Sequence, residues 1–311
     1  MKKIKFIPSL LVILALAFII TGCGKLRNEN SSDKNNSAAP IPSGQNDKTQ
    51  KQDGLKDSGD QKKYEVKLAG TRIDLQNING LMPGNVTLAF KLFGLDANEL
   101  GPKNLKTTNE KPMHLLVVRD DLTGYQHLHP NYVNERWTVA AEISQSGKYY
   151  LYVDIEPVKE NPTVLRLPVV IGEATQKKKF PGISQNFSET LGDLKVTLDA
   201  QSPIKAKESA KLNFKLTKNN NPLTQIEPYL GSFGHVVALS HTDPNYLEHA
   251  HPVTKTKPAD GSVKFEAEFP MDGMYTIFAQ FNINGQVKTF PITIEVANGN
   301  DAQKDKNNDH M

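Results

Sequence analysis

Cysteine is almost missing: one stands among 311 residues, at position 23. A lone cysteine excludes an intrachain disulfide and an Fe–S cluster held by several thiolates. An excess of one charge is missing too. The chain has 37 basic and 34 acidic side chains, and setting aside Lys2, Lys3 and Lys5 at the amino terminus leaves 34 of each sign. A neutral chain has no electrostatic reason to bind nucleic acid. The run Lys177-Lys178-Lys179 is read as a solvated segment between domains. Beyond the amino-terminal run, no stretch repeats its apolar residues at helical spacing over a useful length, which excludes a helical bundle. No Ser-His-Asp arrangement, phosphate-binding glycine loop or pair of catalytic carboxylates stands out. Glu135 and Glu248, the glutamates nearest the histidine pairs described below, do not occupy matching positions. The chain is therefore read as non-enzymatic.

What is present begins with a leader. Lys2, Lys3 and Lys5 precede the apolar run FIPSLLVILALAFII, and Ile20-Thr21-Gly22 leads into Cys23. This is the layout of a secretion signal over 1–22. Its end resembles the bacterial lipobox, which implies cleavage before Cys23, diacylglycerol on the thiol and a fatty acid such as palmitate on the amine. Acyl chains contribute roughly 0.8 kcal/mol per buried CH₂, enough to anchor a protein without a spanning helix. With Cys23 acylated no thiol is left for a nucleophile or a blue-copper centre. Residues 23–63 hold the lipidated cysteine and a polar tether poor in large apolar side chains, which cannot offset its ordering entropy. Forty such residues span roughly 35 Å, so the folded part stands off the membrane. The expected location is the extracytoplasmic face of a cell membrane, of Gram-positive type. The tail 298–311, with His310, is read as disordered too.

Between these ends the pattern is all-β. VTLAFKLFG, MHLLVVRD, WTVAAEI, KYYLYVDI and VLRLPVVIG are short runs rich in β-branched and aromatic residues, separated by Gly, Pro, Asn and Asp. The second half repeats the first in four blocks. GNVTLAFKLFG matches SAKLNFKLTKN, and MHLLVVRDDLTGYQHLHP matches GHVVALSHTDPNYLEHAHP. VAAEISQSGKYYLYVDI matches FEAEFPMDGMYTIFAQF, and LPVVIG matches FPITIEV. Two tandem immunoglobulin-like β-sandwiches are expected, over 64–172 and 188–297, joined by a linker over 173–187. In each, a strand up to Glu142 or Glu268 should turn at Gly147 or Gly273 into a returning strand from Tyr149 or Tyr275.

Seven of the eight histidines fall in two short segments: His114, His127 and His129, then His235, His241, His249 and His251. Residues two apart in a strand share a face at about 6.6 Å, so each His-x-His pair can converge on one ion. If each segment is a hairpin, turning near Asp121-Leu122 in the first repeat and at Asp243 in the second, partner positions sum to 243 and 486. His114 then falls opposite His129, and His235 opposite His251, and each repeat offers its own three-imidazole site. A slip of one residue would reverse the faces. Pro130 and Pro252 should end the second strand of each hairpin. Neutral imidazoles suit copper, zinc or nickel. Met113, and Met271 with Met274, could add thioethers for Cu(I). They are not shared, since Gly234 and Lys148 stand at the equivalent places, so they are read as gap fillers. His241 has no counterpart in the first repeat; it could extend the second site or stand free on a loop.

The blocks MHLLVV…HLHP and GHVVALS…HAHP resemble YtkA-like and FixH-like secreted domains. The resemblance implies an immunoglobulin-type sandwich associated with copper or other heavy metals, carried here by His114, His127, His129, His235, His249 and His251. The expected function is a lipid-anchored lipoprotein that binds copper or zinc, up to two ions per chain, for metal handling, with a membrane metal transporter as a partner. The alternative is a non-catalytic surface module whose histidines are structural and whose Tyr125, Tyr132 and Tyr246 contact a partner.

Overall fold

The computed structural model describes residues 64–68, 71–76, 80–173 and 179–299, with backbone alone for Tyr64–Leu68 and His251. The leader, Cys23, the tether, most of the lysine run and the carboxy-terminal tail from residue 300 lie outside the described residues.

The first repeat contains β1 (Tyr64–Leu68), β2 (Thr71–Gln76), β3 (Gly84–Phe93), β4 (Met113–Arg119) and β5 (Gln126–Leu128). It continues with β6 (Asn131–Val133), β7 (Arg136–Ile143), β8 (Gly147–Ile155) and β9 (Thr163–Ile171). They form two sheets, ordered β1-β2-β3-β7-β6 and β5-β4-β8-β9.

The second repeat opens with β10 (Ser188–Leu191), β11 (Leu194–Ala200), β12 (Ile204–Lys205), β13 (Ser209–Lys218) and β14 (Asn221–Pro222). Then come β15 (His235–Ser240), β16 (Leu247–His249), β17 (His251–Pro252), β18 (Ser262–Glu268), β19 (Gly273–Ile283) and β20 (Gln286–Ala297). Its sheets run β10-β11-β13-β18-β17, with β14 on β13, and β12-β20-β19-β15-β16. Both repeats are thus two-sheet immunoglobulin-like sandwiches with equivalent strands in equivalent order.

Alternation builds the cores. Val86, Leu88, Phe90 and Leu92 of β3 point inward between exposed or half-exposed neighbours, as do Leu212, Phe214 and Leu216 of β13. The Ala-Glu-x-x-x-x-Gly-x-Tyr block departs from a simple hairpin. It carries the chain from β7 to β8, or from β18 to β19, which belong to opposite sheets. A tyrosine locks each crossing: Tyr149 Oη donates to the Gln145 carbonyl at 2.7 Å, and Tyr275 Oη to that of Met271 at 2.9 Å. These are the tyrosine corners of the immunoglobulin architecture.

Two strands do not alternate. Every residue of Met113–Val118 in β4 and of His235–Ser240 in β15 is buried. Leu115 and Val117 enter the first core, and Val236 and Ala238 the second. The opposite faces meet each other. Leu116, Val118, Leu122, Tyr150 and Tyr152 of the first repeat pack with Val237, Leu239 and Phe278 of the second. Tyr125 stacks on Phe278 with ring centroids 3.9 Å apart, and Tyr152 Oη donates to the Pro244 carbonyl at 2.7 Å. The two sandwiches are docked sheet to sheet through the strands that carry the histidines.

Candidate metal centre

The hairpin registers place Leu116 opposite His127 and Val237 opposite His249, with sums of 243 and 486 as hairpin counting gives. His114 therefore lies on the same face as Leu116 and Val118, and His235 on the same face as Val237 and Leu239. Both faces are those buried between the sandwiches. His114 is 1 % exposed and His235 8 %. Beyond the pair, Pro130 is buried outside any strand, while Pro252 pairs with Phe265 in the second repeat's other sheet. Pro130 thus follows the end of its hairpin, whereas the expectation for Pro252 is corrected: the hairpin strand ends at His249 and Pro252 belongs to β17.

Docking merges the two sets. Within the first repeat the ring centroids lie 5.2 Å apart for His114 and His127, 5.1 Å for His114 and His129, and 4.8 Å for His127 and His129. Across the interface His127 is 4.7 Å from His235, and His114 is 6.0 Å from His235 with planes 10° apart. His249 is 5.3 Å from His235 and 6.4 Å from His114. The expected trio of the first repeat is brought together, but the second repeat's histidines do not form a site apart from it: among the described residues, five imidazoles from both repeats form a single cluster. His251 does not stand opposite His235 as expected: its backbone pairs with Glu266 in the other sheet of the second repeat.

Hydrogen bonds fix the tautomers. His114 Nε2 lies 3.0 Å from the Thr108 carbonyl, which can only accept, so Nε2 carries the proton and Nδ1 the lone pair. His127 Nδ1 lies 2.9 Å from Gln280 Oε1, and Gln280 Nε2 donates to Thr289 Oγ1 at 3.1 Å. With that amide orientation Nδ1 is the donor, leaving His127 Nε2 bare. The two lone-pair nitrogens, His114 Nδ1 and His127 Nε2, then face each other at 3.0 Å. A cation between them satisfies both, since two ligands on a tetrahedral ion at about 2.0 to 2.1 Å sit about 3.3 Å apart. The ligand nitrogens of His114, His127 and His129 lie within 4.8 Å of one another. His249 Nδ1 bonds Asp154 Oδ2 at 3.0 Å. The Nε2 atoms of His129, His235 and His249 are buried without a hydrogen-bond partner. Leaving such an atom unpaired costs about 1 to 3 kcal/mol. The donor set thus fits a transition-metal ion.

Burial holds four of the rings, His114, His127, His129 and His235, neutral and ready to ligate. It pushes His127 and His235 well below the ordinary histidine value, lowers His114, and takes His129 down to about 4. Room for charge is limited. Two divalent ions about 5 Å apart repel by roughly 13 kcal/mol at an effective dielectric of about 20. Asp154 is the carboxylate bonded to the cluster, so the site suits one divalent ion.

The two auxiliary candidates fall outside the cluster. Met113 is buried in the first core, on the opposite side of β4 from His114. His241 is half-buried, bonded to Thr276 Oγ1 at 2.9 Å and stacked on Phe180 at 4.7 Å. It neither joins the other histidines nor stands free. The aromatic residues of the alternative reading are engaged as well: Tyr125 on Phe278, Tyr132 on Trp137 at 5.2 Å, and Tyr246 Oη on Glu248 at 3.0 Å.

Sequence reasoning missed Asp154 and Gln280. A signal was present: each is a polar residue in a largely apolar strand, five positions after the corner tyrosine, and they pair with His114 and His235 respectively. Gly234, where the first repeat has Met113, is a packing constraint on the same site. A Cβ there would lie 2.7 Å from Phe281 Cε1 and 3.2 Å from the Gln280 carbonyl oxygen. Gly234→Ala is therefore expected to cost about 1 to 3 kcal/mol and to displace His235, weakening metal affinity. An unchanged denaturation midpoint would show that the Phe281 ring yields freely.

One family profile matches both sandwiches, over residues 65–171 and 189–298; its description is "Domain of unknown function (DUF8832)". The chain belongs to the DUF8832 family, with two copies in tandem. No curated protein matches the chain. Among solved structures, the Escherichia coli adhesin FdeC is 15% identical, with 73% of this chain and 64% of that chain covered and a TM-score of 0.25. Salmonella alpha-2-macroglobulin reacted with methylamine is 10% identical, with 76% and 15% covered and a TM-score of 0.25. The D0-D1 domain of Intimin is 11% identical, with 72% and 96% covered and a TM-score of 0.19. The match thus spans less than two thirds of the FdeC and alpha-2-macroglobulin chains. The immunoglobulin-like architecture of the DUF8832 repeats follows from their own strand order and tyrosine corners.

Proposed function

We propose that this DUF8832 protein is an exported, lipid-anchored protein that binds one transition-metal ion, copper or zinc, between its two sandwiches and takes part in metal handling at the cell surface. The observation that carries the reading is the cluster itself. Five imidazoles from two repeats converge, three of them with buried, unpartnered Nε2 atoms. Neutral nitrogen donors without thiolates match copper and zinc better than calcium or magnesium, which take oxygen. His114, His127, His129, His235 and His249 would hold the ion. The ion itself would supply only a filled coordination sphere, as befits cargo held for a membrane transporter. The sequence likeness of the HLHP and HAHP blocks to YtkA-like and FixH-like secreted domains supports export and a metal role, and the lipobox at Cys23 supports the anchor.

The test is a calorimetric titration of the full chain, purified in detergent and stripped with chelator, against Zn²⁺ and Cu²⁺. Binding of one ion far tighter than millimolar is expected, and lost in His127→Ala/His129→Ala. No binding tighter than millimolar overturns the reading and leaves the histidines structural.

A further inference from the structure

The hydrogen bonds that aim the ligand rings are exchanged between the repeats. His114 corresponds to His235, His127 to His249, and Asp154 to Gln280. Within its own sheet Asp154 stands opposite His114, and Gln280 opposite His235. Neither serves the His-x-His pair of its own repeat. Asp154 Oδ2 takes His249 Nδ1 of the second repeat at 3.0 Å, and Gln280 Oε1 takes His127 Nδ1 of the first at 2.9 Å. An imidazole turns about two bonds, so the partner on Nδ1 decides where Nε2 points. Such outer partners are typically worth 10- to 100-fold in metal affinity.

Resting on the metal reading above, we infer that the ion is an interdomain clamp: its ligands come from both repeats, and Gln280 and Asp154 are positioning residues, each aiming a ligand of the other repeat. The first sandwich alone offers a three-imidazole group, His114, His127 and His129, but neither sandwich alone keeps the hydrogen bonds that aim its rings. In the first, His127 would lose the acceptor that fixes its tautomer; in the second, His249 would lose Asp154. The ion therefore binds the docked arrangement in preference to the undocked one, and by linkage its binding strengthens docking. Apolar side chains hold one part of the interface, Leu116, Val118, Tyr152, Val237, Leu239 and Phe278. The histidine end is left with three unpartnered nitrogens until an ion takes them up. Gln280, 3 % exposed and steadied by Thr289 Oγ1 at 3.1 Å, is well placed for a positioning role.

The experiment is a Zn²⁺ competition titration of the full chain in detergent against a chromogenic chelator, with circular dichroism as the check on folding of both sandwiches. Wild type should take one ion. Gln280→Ala should lower its affinity about 10- to 100-fold, and Gln280→Glu should restore it to within about threefold, because a carboxylate accepts from His127 Nδ1 as Asp154 does from His249. His235→Ala should weaken that same ion at least about 100-fold rather than remove one of two. Gln280→Glu preserves side-chain volume, so its comparison with wild type and His235→Ala remains decisive even if the alanine variant folds poorly. A full-affinity ion retained by His235→Ala overturns the clamp while the metal reading stands. Equal affinity in Gln280→Ala and wild type overturns the positioning role. A wild type that takes no ion overturns both the clamp and the metal reading.

Discussion

Replacing Leu116 by aspartate is expected to part the two sandwiches while leaving each one folded. Leu116 is fully buried on the outer face of β4, packed among Val237, Leu239 and Phe278 of the other repeat. A carboxylate there loses its hydration and gains no partner, a penalty of several kcal/mol even after relaxation. The neighbouring Leu115 and Val117 face the first core and are untouched. Small-angle scattering should show a larger radius of gyration, with the tryptophan emission of the folded first sandwich retained. Metal affinity should fall with the docking, because the histidines of the two repeats no longer meet. Unchanged scattering together with unchanged affinity would refute the account of the interface.

A loss of about 3 to 5 kcal/mol is expected for Trp137→Ala. Trp137 is 1 % exposed on β7, packs edge-on against Tyr132, and donates from Nε1 to the Leu100 carbonyl at 2.9 Å. The alanine leaves both a large cavity and a buried carbonyl without its donor. Against a typical total of about 5 to 15 kcal/mol, that moves the first sandwich close to its unfolding threshold. The second sandwich has its own core of Phe214, Phe265, Phe281 and Phe290 and should keep its midpoint. Denaturant unfolding followed by circular dichroism should therefore divide into two transitions. A cost below about 1 kcal/mol would show that the site refills and would contradict this packing.

The repeats, the sandwich architecture and the hairpin registers were legible because each rests on local pattern. Period-two burial marks β3 and β13, and the distance between turn and histidine sets which residue stands opposite which. Met113 beside His114 illustrates the same rule, since neighbours in a strand must face opposite ways. The docking was written less plainly. MHLLVV and HVVALS are apolar on both faces, which says that something covers the outer face of each strand without saying what. Only the three-dimensional pairing shows that each covers the other, and with it that two expected sites are one. Asp154 and Gln280 escaped notice because their bonds span 95 and 153 positions along the chain and join residues that no periodicity relates.

The face-to-face docking of equivalent strands has a further consequence for how such repeats can multiply. Like patch meets like patch, the isologous arrangement of a two-fold dimer, here built from halves of a single chain. Such a contact closes on itself: β4 and β15 each spend their outer face on the other, and a third copy would find no matching surface to join. The repeats therefore combine in twos, and an unpaired one would present an apolar strand and bare imidazoles to water.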